Sequence, residues 1–221
     1  MNKERHILVV FPHPDDEAFG VSGTIAMHVA NGTPVTYACL TLGEMGRNLG
    51  NPPFATRESL PQIRKKELLL AAQAMGIEDL RMLGFRDKTI EFEDDEKLTL
   101  LIANFIKELN PSLIISFYPG HSVHPDHDAT GRVVVRAVER IDEQYRPTLH
   151  CVAFSNNHED EIGPADVIMN VSAFAEQKKN AIRAHLSQAA WMLKDMEPKW
   201  ASGDQVALEW LHTEHFWTYK F

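Results

Sequence analysis

Apolar positions along the chain fall into two alternating rhythms. Ile7-Leu8-Val9-Val10 and Leu113-Ile114-Ile115-Ser116-Phe117 are uncharged runs rich in β-branched residues. They are too short for helices and too uniform for half-exposed strands, so they predict buried central strands. Pro34 to Leu40, Leu80 to Leu83, Thr148 to Phe154 and Ala165 to Val171 read as further strands. The stretches between them repeat at three and four residues. A helical pattern begins at Ala18 and runs through Met27, and another spans Gln62 to Met75 with Gly76 as its stop. Asp94 to Leu109 carries Leu98, Leu101, Ile102, Phe105, Ile106 and Leu109 on one face. Ala129 to Ile141 and Ala173 to His185 are helical, the second continuing less regularly to Met196, and a last strand is expected within Leu208 to Phe221. Strand–helix alternation of this kind predicts an α/β fold, a mostly parallel central sheet flanked by helices. With 221 residues, no internal repeat and no low-complexity segment, residues 1–221 are expected to form a single domain.

Polar residues interrupt this rhythm most sharply where the two most apolar runs end. After the first comes His13-Pro14-Asp15-Asp16-Glu17, and after the second His124-Pro125-Asp126-His127. In each case a buried strand gives way to a proline-containing turn and then to a helix. If the strands are parallel neighbours, both clusters lie on the same edge of the sheet, where open α/β sheets bind ligands. The bland reading of the first cluster is a helix N-cap, with Asp15 or Asp16 accepting from free N–H groups and Glu17 favouring the dipole. A cap needs one such residue, and three neighbouring carboxylates repel one another and are costly to bury. A divalent cation removes that cost, and the His–X–X–His spacing of the second cluster can bring two imidazoles to it. Three N/O ligands with one position left to water is the pattern of catalytic zinc. Such an ion polarises a carbonyl and lowers the pKa of water, and a spare carboxylate then acts as general base. Spacing alone leaves open whether Asp15 or Asp16 is the ligand, and whether His124 binds metal or stabilises an oxyanion.

Composition narrows the partners. With 31 acidic against 22 basic residues the formal net charge is −9, which argues against nucleic acid or an anionic membrane as partner. A small anionic substrate held by local arginines stays compatible. Cys39 and Cys151 each sit in an apolar run, as buried free thiols of a reducing compartment do. No signal peptide or transmembrane run is apparent, so a cytoplasmic enzyme is expected. Trp191, Trp200, Trp210 and Trp217 are read as buried within the fold, with a homo-oligomer interface as the alternative.

The paired motifs resemble those of the PIG-L/LmbE family of zinc-dependent N-acetylglucosaminyl deacetylases. So does Thr41-Leu42-Gly43-Glu44-Met45-Gly46, followed by Arg64-Lys65-Lys66-Glu67 with Ala71, Ala72 and Gly76. The similarity spans about the first 140 residues. It implies a Rossmann-like fold, with His13, Asp16 and His127 holding zinc and Asp15 as the general base that activates the attacking water. It also implies a protonated His124 facing the oxyanion and an Asp126 that orients and charges His124. Iron(II) accepts the same donors. Some relatives carry a tyrosine two residues before the first histidine of the second motif; here that position is Ser122. The loop Gly43 to Phe54 is most similar to the branch that deacetylates N-acetylglucosaminyl-malate in bacillithiol synthesis. The implied substrate is a small amino-sugar conjugate. Two alternatives are the same chemistry on another amide, as in a thiol-conjugate amidase or chitooligosaccharide deacetylase, and a non-catalytic Rossmann-like binding module. Against the latter, the first strand–helix turn lacks Gly-x-Gly-x-x-Gly and is anionic.

Thr41 to Pro61, rich in Gly, Asn and Pro, is long for a passive connection and reads as a binding loop. In it, Glu44 is expected near the sugar. Arg47 and Arg57 are candidates to grip a carboxylate with paired hydrogen bonds, each weighed evenly against a solvated surface arginine. Glu17 is equally a cap or a residue that holds a ligand in place. Arg64 and Glu67 are spaced as an i,i+3 pair. His212 and His215 read as structural, and His150, His158 and His185 lack a context in the sequence.

Overall fold

The computed structural model describes residues 3–221. Its centre is one sheet of seven strands in the order β3-β2-β1-β4-β5-β7-β6. The strands are β1 (Ile7–Phe11), β2 (Val35–Thr41), β3 (Asp79–Phe85), β4 (Leu113–Phe117), β5 (Thr148–Val152), β6 (Val167–Asn170) and β7 (Thr213–Thr218). β1 pairs in parallel with β2 and with β4, Ile7 standing opposite Val35 on one side and Leu113 on the other. β3 and β5 extend the parallel set outward, and β7 runs antiparallel to both β5 and β6. The chain winds one way from β1 to β3 and the other way from β4, so the crevice between β1 and β4 is the topological switch point.

The helices are α1 (Asp16–Gly20), α2 (Ser22–Ala30), α3 (Leu60–Met75), α4 (Asp95–Leu109), α5 (Pro125–Glu139), α6 (His158–Ile162), α7 (Ala175–Ala184), α8 (Leu186–Ser202) and α9 (Gln205–His212). Alternation along β1 divides the core in two. Ile7, Val9 and Phe11 pack with α2, α3, α7 and α8, whereas Leu8 and Val10 pack with α4 and α5. Every residue of β1 is fully buried, as the uncharged run required.

Three expected helices differ in extent. The first is split at Val21 (φ −140°, ψ 0°) into α1 and α2. The second motif lies inside α5 rather than before it: Pro125 opens the helix, where its missing N–H costs nothing, with His124 at the N-cap. The long helix expected from Ala173 to Met196 breaks at His185 (φ −86°, ψ 46°). The segment Leu208 to Phe221 is half helix, its strand starting at Thr213. Among the described residues, no helix is long and apolar enough to cross a membrane.

Candidate active site

β1 and β4 end side by side, and the turns that follow them face each other across the switch point. Together with the loop after β2 and the turn after β3 they enclose a cavity of about 390 Å³. His13, Asp15, Asp16, Arg47, Arg64, Asp87, Lys88, His124 and His127 all line it. The two motifs, more than a hundred residues apart in sequence, thus form one site.

At its floor three acceptors converge. His13 Nδ1 lies 3.2 Å from His127 Nε2 and 3.5 Å from Asp16 Oδ2, and His127 Nε2 lies 3.2 Å from Asp16 Oδ1. The surroundings fix the protons. His127 Nδ1 faces the Ser122 carbonyl at 3.0 Å, which can only accept, so Nδ1 carries the hydrogen and Nε2 is bare. His13 Nε2 faces Asp87 Oδ1 at 3.1 Å and Asp126 Oδ2 at 3.2 Å, so it donates outward, and in the neutral ring Nδ1 is then bare. Three bare lone pairs at this spacing repel unless a cation sits among them. A tetrahedral ion with bonds of about 2.0–2.1 Å sets its ligands about 3.3 Å apart. The donor set therefore fits a zinc-like ion, and Asp87 and Asp126 orient the His13 ring from behind. Burial pushes Asp16 up, but the His127 and His13 rings overcome it and hold its carboxyl well below the usual carboxylate range.

Asp15 stands beside this triangle at φ 103°, a left-handed conformation uncommon for a residue with a side chain. Its carboxylate meets Arg64 Nη2 at 3.0 Å. Burial raises its pKa, Arg64 opposes this and the charge of Asp16 adds to it, for a value of about 6. A partly buried carboxylate that stands outside the donor triangle and titrates near neutrality has the properties of a general base. On the opposite wall, His124 Nδ1 accepts the Asp126 N–H at 3.1 Å, which leaves Nε2–H as the donor of a neutral ring. Burial and the neighbouring His13 and His127 rings hold His124 below the ordinary histidine pKa. This differs from the protonated His124 that the resemblance implies. Asp126 differs too: its carboxylate accepts from the backbone N–H groups of Lys88 (2.7 Å) and Ile90 (3.1 Å) and faces His13, so only its backbone meets His124. Ser122 Oγ lies 3.0 Å from the Tyr118 carbonyl and 3.1 Å from Asp128 Oδ1, and so is committed within its own turn.

The expected substrate residues separate. Arg47 is exposed and lines the cavity. Arg57 donates to the Gly46 carbonyl, and Glu44 Oε2 accepts the Asp87 N–H at 3.1 Å, so both brace cavity walls. The expected Arg64–Glu67 pair is not formed. Arg64 turns toward Asp15, Gly43 O (2.9 Å) and Pro14 O, while Glu67 accepts from Ser187 N (2.6 Å) and Oγ (2.7 Å). Both are buried on the packed face of α3, where tertiary partners displace the helical neighbour. Gly43 (φ 63°) permits this, since a Cβ there would come within 1.9 Å of Arg64 Nη1. Sequence reasoning missed Asp87 and Lys88, which follow β3. The signal was available, because an acid just past the end of a third parallel strand belongs to the same edge of the sheet. His212 does not line the site, and His215 lines a different cavity.

Residues 8–138 match the family model described as PIG-L, GlcNAc-PI de-N-acetylase, well over half of the chain. The chain belongs to the PIG-L family. Over 221 residues, 100% of this chain and 98% of the relative, it is 54% identical to a protein of Bacillus anthracis called probable N-acetyl-alpha-D-glucosaminyl L-malate deacetylase 2. Among solved structures, N,N'-diacetylchitobiose deacetylase from Pyrococcus horikoshii superposes with a TM-score of 0.73 at 23% identity, covering 98% of this chain and 84% of that one. The 4-carboxy-2-hydroxymuconate hydratase GalB of Pseudomonas putida KT2440 superposes with a TM-score of 0.72 at 19% identity, covering 98% and 97%. At under 25% identity these two superpositions show a shared fold alone, and fold by itself does not select a reaction.

Proposed function

We propose that this chain is a metal-dependent deacetylase that hydrolyses the acetamide of N-acetyl-α-D-glucosaminyl L-malate to acetate and a free glucosaminyl amine. The observation that carries this reading is the triangle of bare donors on His13, His127 and Asp16 with Asp15 beside it. The full-length likeness to the Bacillus anthracis relative selects the substrate. Two imidazole nitrogens and one carboxylate favour zinc, with iron(II) as the alternative.

When bound, such a cation polarises the amide carbonyl and lowers the pKa of the attacking water. The chain's own groups do the rest. Asp15 takes the proton of the water and carries it to the leaving nitrogen, held in place by Arg64. His124 Nε2–H donates to the oxygen that gains charge as the carbonyl carbon becomes tetrahedral. Arg47 grips an aglycone carboxylate, with Lys88 as a second cation on the rim. Among the described residues, neither has a carboxylate ion-pair partner. Arg57 and Glu44 serve the substrate indirectly, by holding the loop that carries Arg47 and the turn that carries Lys88. Bacillithiol synthesis in the cytoplasm is the setting this substrate implies.

The test is acetate release from N-acetylglucosaminyl-malate by purified protein before and after chelation, with metal counted on the same sample. We expect release that stops on chelation and returns with one zinc or iron(II) per chain. A bound metal without release from this conjugate, but with release from an N-acetylated oligosaccharide, would overturn the substrate. No metal and no release would overturn the reaction.

A further inference from the structure

His185 and Gln188 lie outside the segment that matches the family model, His185 at the break between α7 and α8 and Gln188 in the first turn of α8. This stretch nevertheless reaches the site at two separate points. His185 is fully buried, and its Nε2 sits 2.5 Å from Oε1 of the fully buried Glu17. The other oxygen, Glu17 Oε2, accepts the Asp15 N–H at 3.0 Å and the Tyr37 hydroxyl at 3.0 Å. The Asp15 backbone is the strained one, at φ 103°, and such a conformation persists only where its surroundings enforce it. Glu17 cannot cap α1 in the ordinary way while it is turned back onto Asp15 N, and what holds it there is His185 on one oxygen and Tyr37 on the other.

Three residues on, Gln188 Nε2 donates to Asn48 O at 2.9 Å, Asn48 Nδ2 donates to Gln188 O at 3.1 Å, and Gly50 N–H donates to Ser187 O at 2.9 Å. These bonds pin the irregular segment that carries Arg47, which has no helix or strand of its own. The base and the loop are therefore fixed from the start of α8 by two sets of side-chain hydrogen bonds, joined only through the backbone, where Gln188 N–H donates to His185 O at 2.9 Å.

We propose that the His185–Gln188 turn positions the active site through two arms: His185, acting through Glu17, fixes the backbone that presents Asp15, and Gln188, acting through Asn48, fixes the loop that presents Arg47. Neither residue touches substrate; both are positioning residues. The proposal rests on the amide-hydrolase reading above. It requires the two arms to separate in kinetics, because Asp15 acts in the bond-making step and Arg47 in binding.

The experiment compares His185→Asn, His185→Gln and Gln188→Ala in metal-loaded enzyme, with metal content measured on each. The amide nitrogen of Gln reaches the place of His Nε2 and can donate to Glu17; that of Asn falls short. His185→Asn is expected to lower kcat about tenfold or more, with KM within about twofold and one metal per chain retained. His185→Gln is expected to recover most of that loss. Gln188→Ala is expected to raise KM about fivefold or more with kcat nearly unchanged. If a His185 variant does not fold, Tyr37→Phe, which removes the hydroxyl donor to Glu17 (3.0 Å) and a longer one to the His13 carbonyl (3.3 Å), takes its place with the same expected fall in kcat and one metal per chain retained. Equal kcat for His185→Asn and the parent, a joint shift of kcat and KM in both arms, or activity lost in step with metal would each overturn the proposal. A parent enzyme that turns over while the arms fail to separate refutes the positioning alone. A parent that releases no acetate from any N-acetyl sugar refutes the underlying reading.

Discussion

Asp15, Lys88 and Val123 are non-glycine residues at positive φ (103°, 64° and 63°), and all three line the same cavity. The other two in the described chain, Asn110 and Asn157, cap helices, a place where asparagine tolerates that conformation. Strain of this kind concentrates where the surrounding structure must hold a side chain in one direction. Around it the carboxylates divide their work by position. Asp16 meets both bare imidazole nitrogens, whereas Asp15 meets Arg64 and no ligand nitrogen. Asp16→Asn and His127→Ala are therefore expected to lose metal, measured as metal per chain after dialysis. Asp15→Asn is expected to keep it and lose turnover by about 10²–10⁴-fold, the range of a general base. An Asp15→Asn enzyme nearly as active as the parent sinks that role. Arg47→Ala is expected to raise KM for the malate conjugate while leaving KM for a neutral N-acetylglucosaminide unchanged; equal shifts for both substrates would remove it from the aglycone site.

At the scale of elements, the site depends on α2 and β7 as well as on the strand ends. Glu214 of β7 accepts the N–H groups of Gly23 (3.0 Å) and Thr24 (2.8 Å) at the start of α2, and pairs with Lys178 of α7 at 3.1 Å. All of these atoms are buried, so a cap that is normally local is supplied here from across the sheet. Glu214→Gln leaves Lys178 as an unpaired buried charge, a loss of roughly 3–5 kcal/mol. For a chain of this size that lowers the melting temperature by about 10 °C; a change under about 3 °C would show that Lys178 finds another partner. The same contrast explains what could be read in the sequence. β1 and β4 were legible almost to the residue because an uncharged β-branched run has one use, and the polar residues at their ends announced the site. The start of α5 was not, because His124 to Asp128 hide its apolar period. Arg64 and Glu67 were misread as each other's partners, since spacing on a helix says nothing about which face is packed. His185 and Glu214 carried no local signal, because each acts on a residue more than 160 positions away.

The whole molecule carries a formal charge of −9, yet it gathers Asp15, Asp16 and Asp87 around one cavity, with Asp126 buried just behind His13. Arg64 offsets one of those charges and a divalent cation would offset two more, so metal binding and folding stability are linked. At a free metal concentration a hundred times its Kd the linkage is worth about 2.7 kcal/mol, which for a chain of this length corresponds to about 5–11 °C in melting temperature. The metal-loaded protein is expected to melt higher than the chelated one by that order, and equal melting temperatures would mean that the triangle holds no cation. Protons act on a second set of groups, remote from the bare donors. His28, buried in α2, and His150, in β5, both have pKa values below the ordinary histidine range, chiefly through burial and, for His28, also through the charge of His150. A histidine held neutral in the fold and free to charge in the unfolded chain contributes stability that is fully present above about 6.5 and lost as pH falls through the folded value. These two residues therefore lower the stability of the chelated chain as pH falls from 7 to 5. His28→Leu removes one of them, and its Nδ1 has no hydrogen-bond partner to lose. The expected result is a shallower fall of melting temperature with acidification in His28→Leu than in the parent, both chelated. Parallel slopes would mean that His28 charges alike in the folded and unfolded chain and carries none of the acid response.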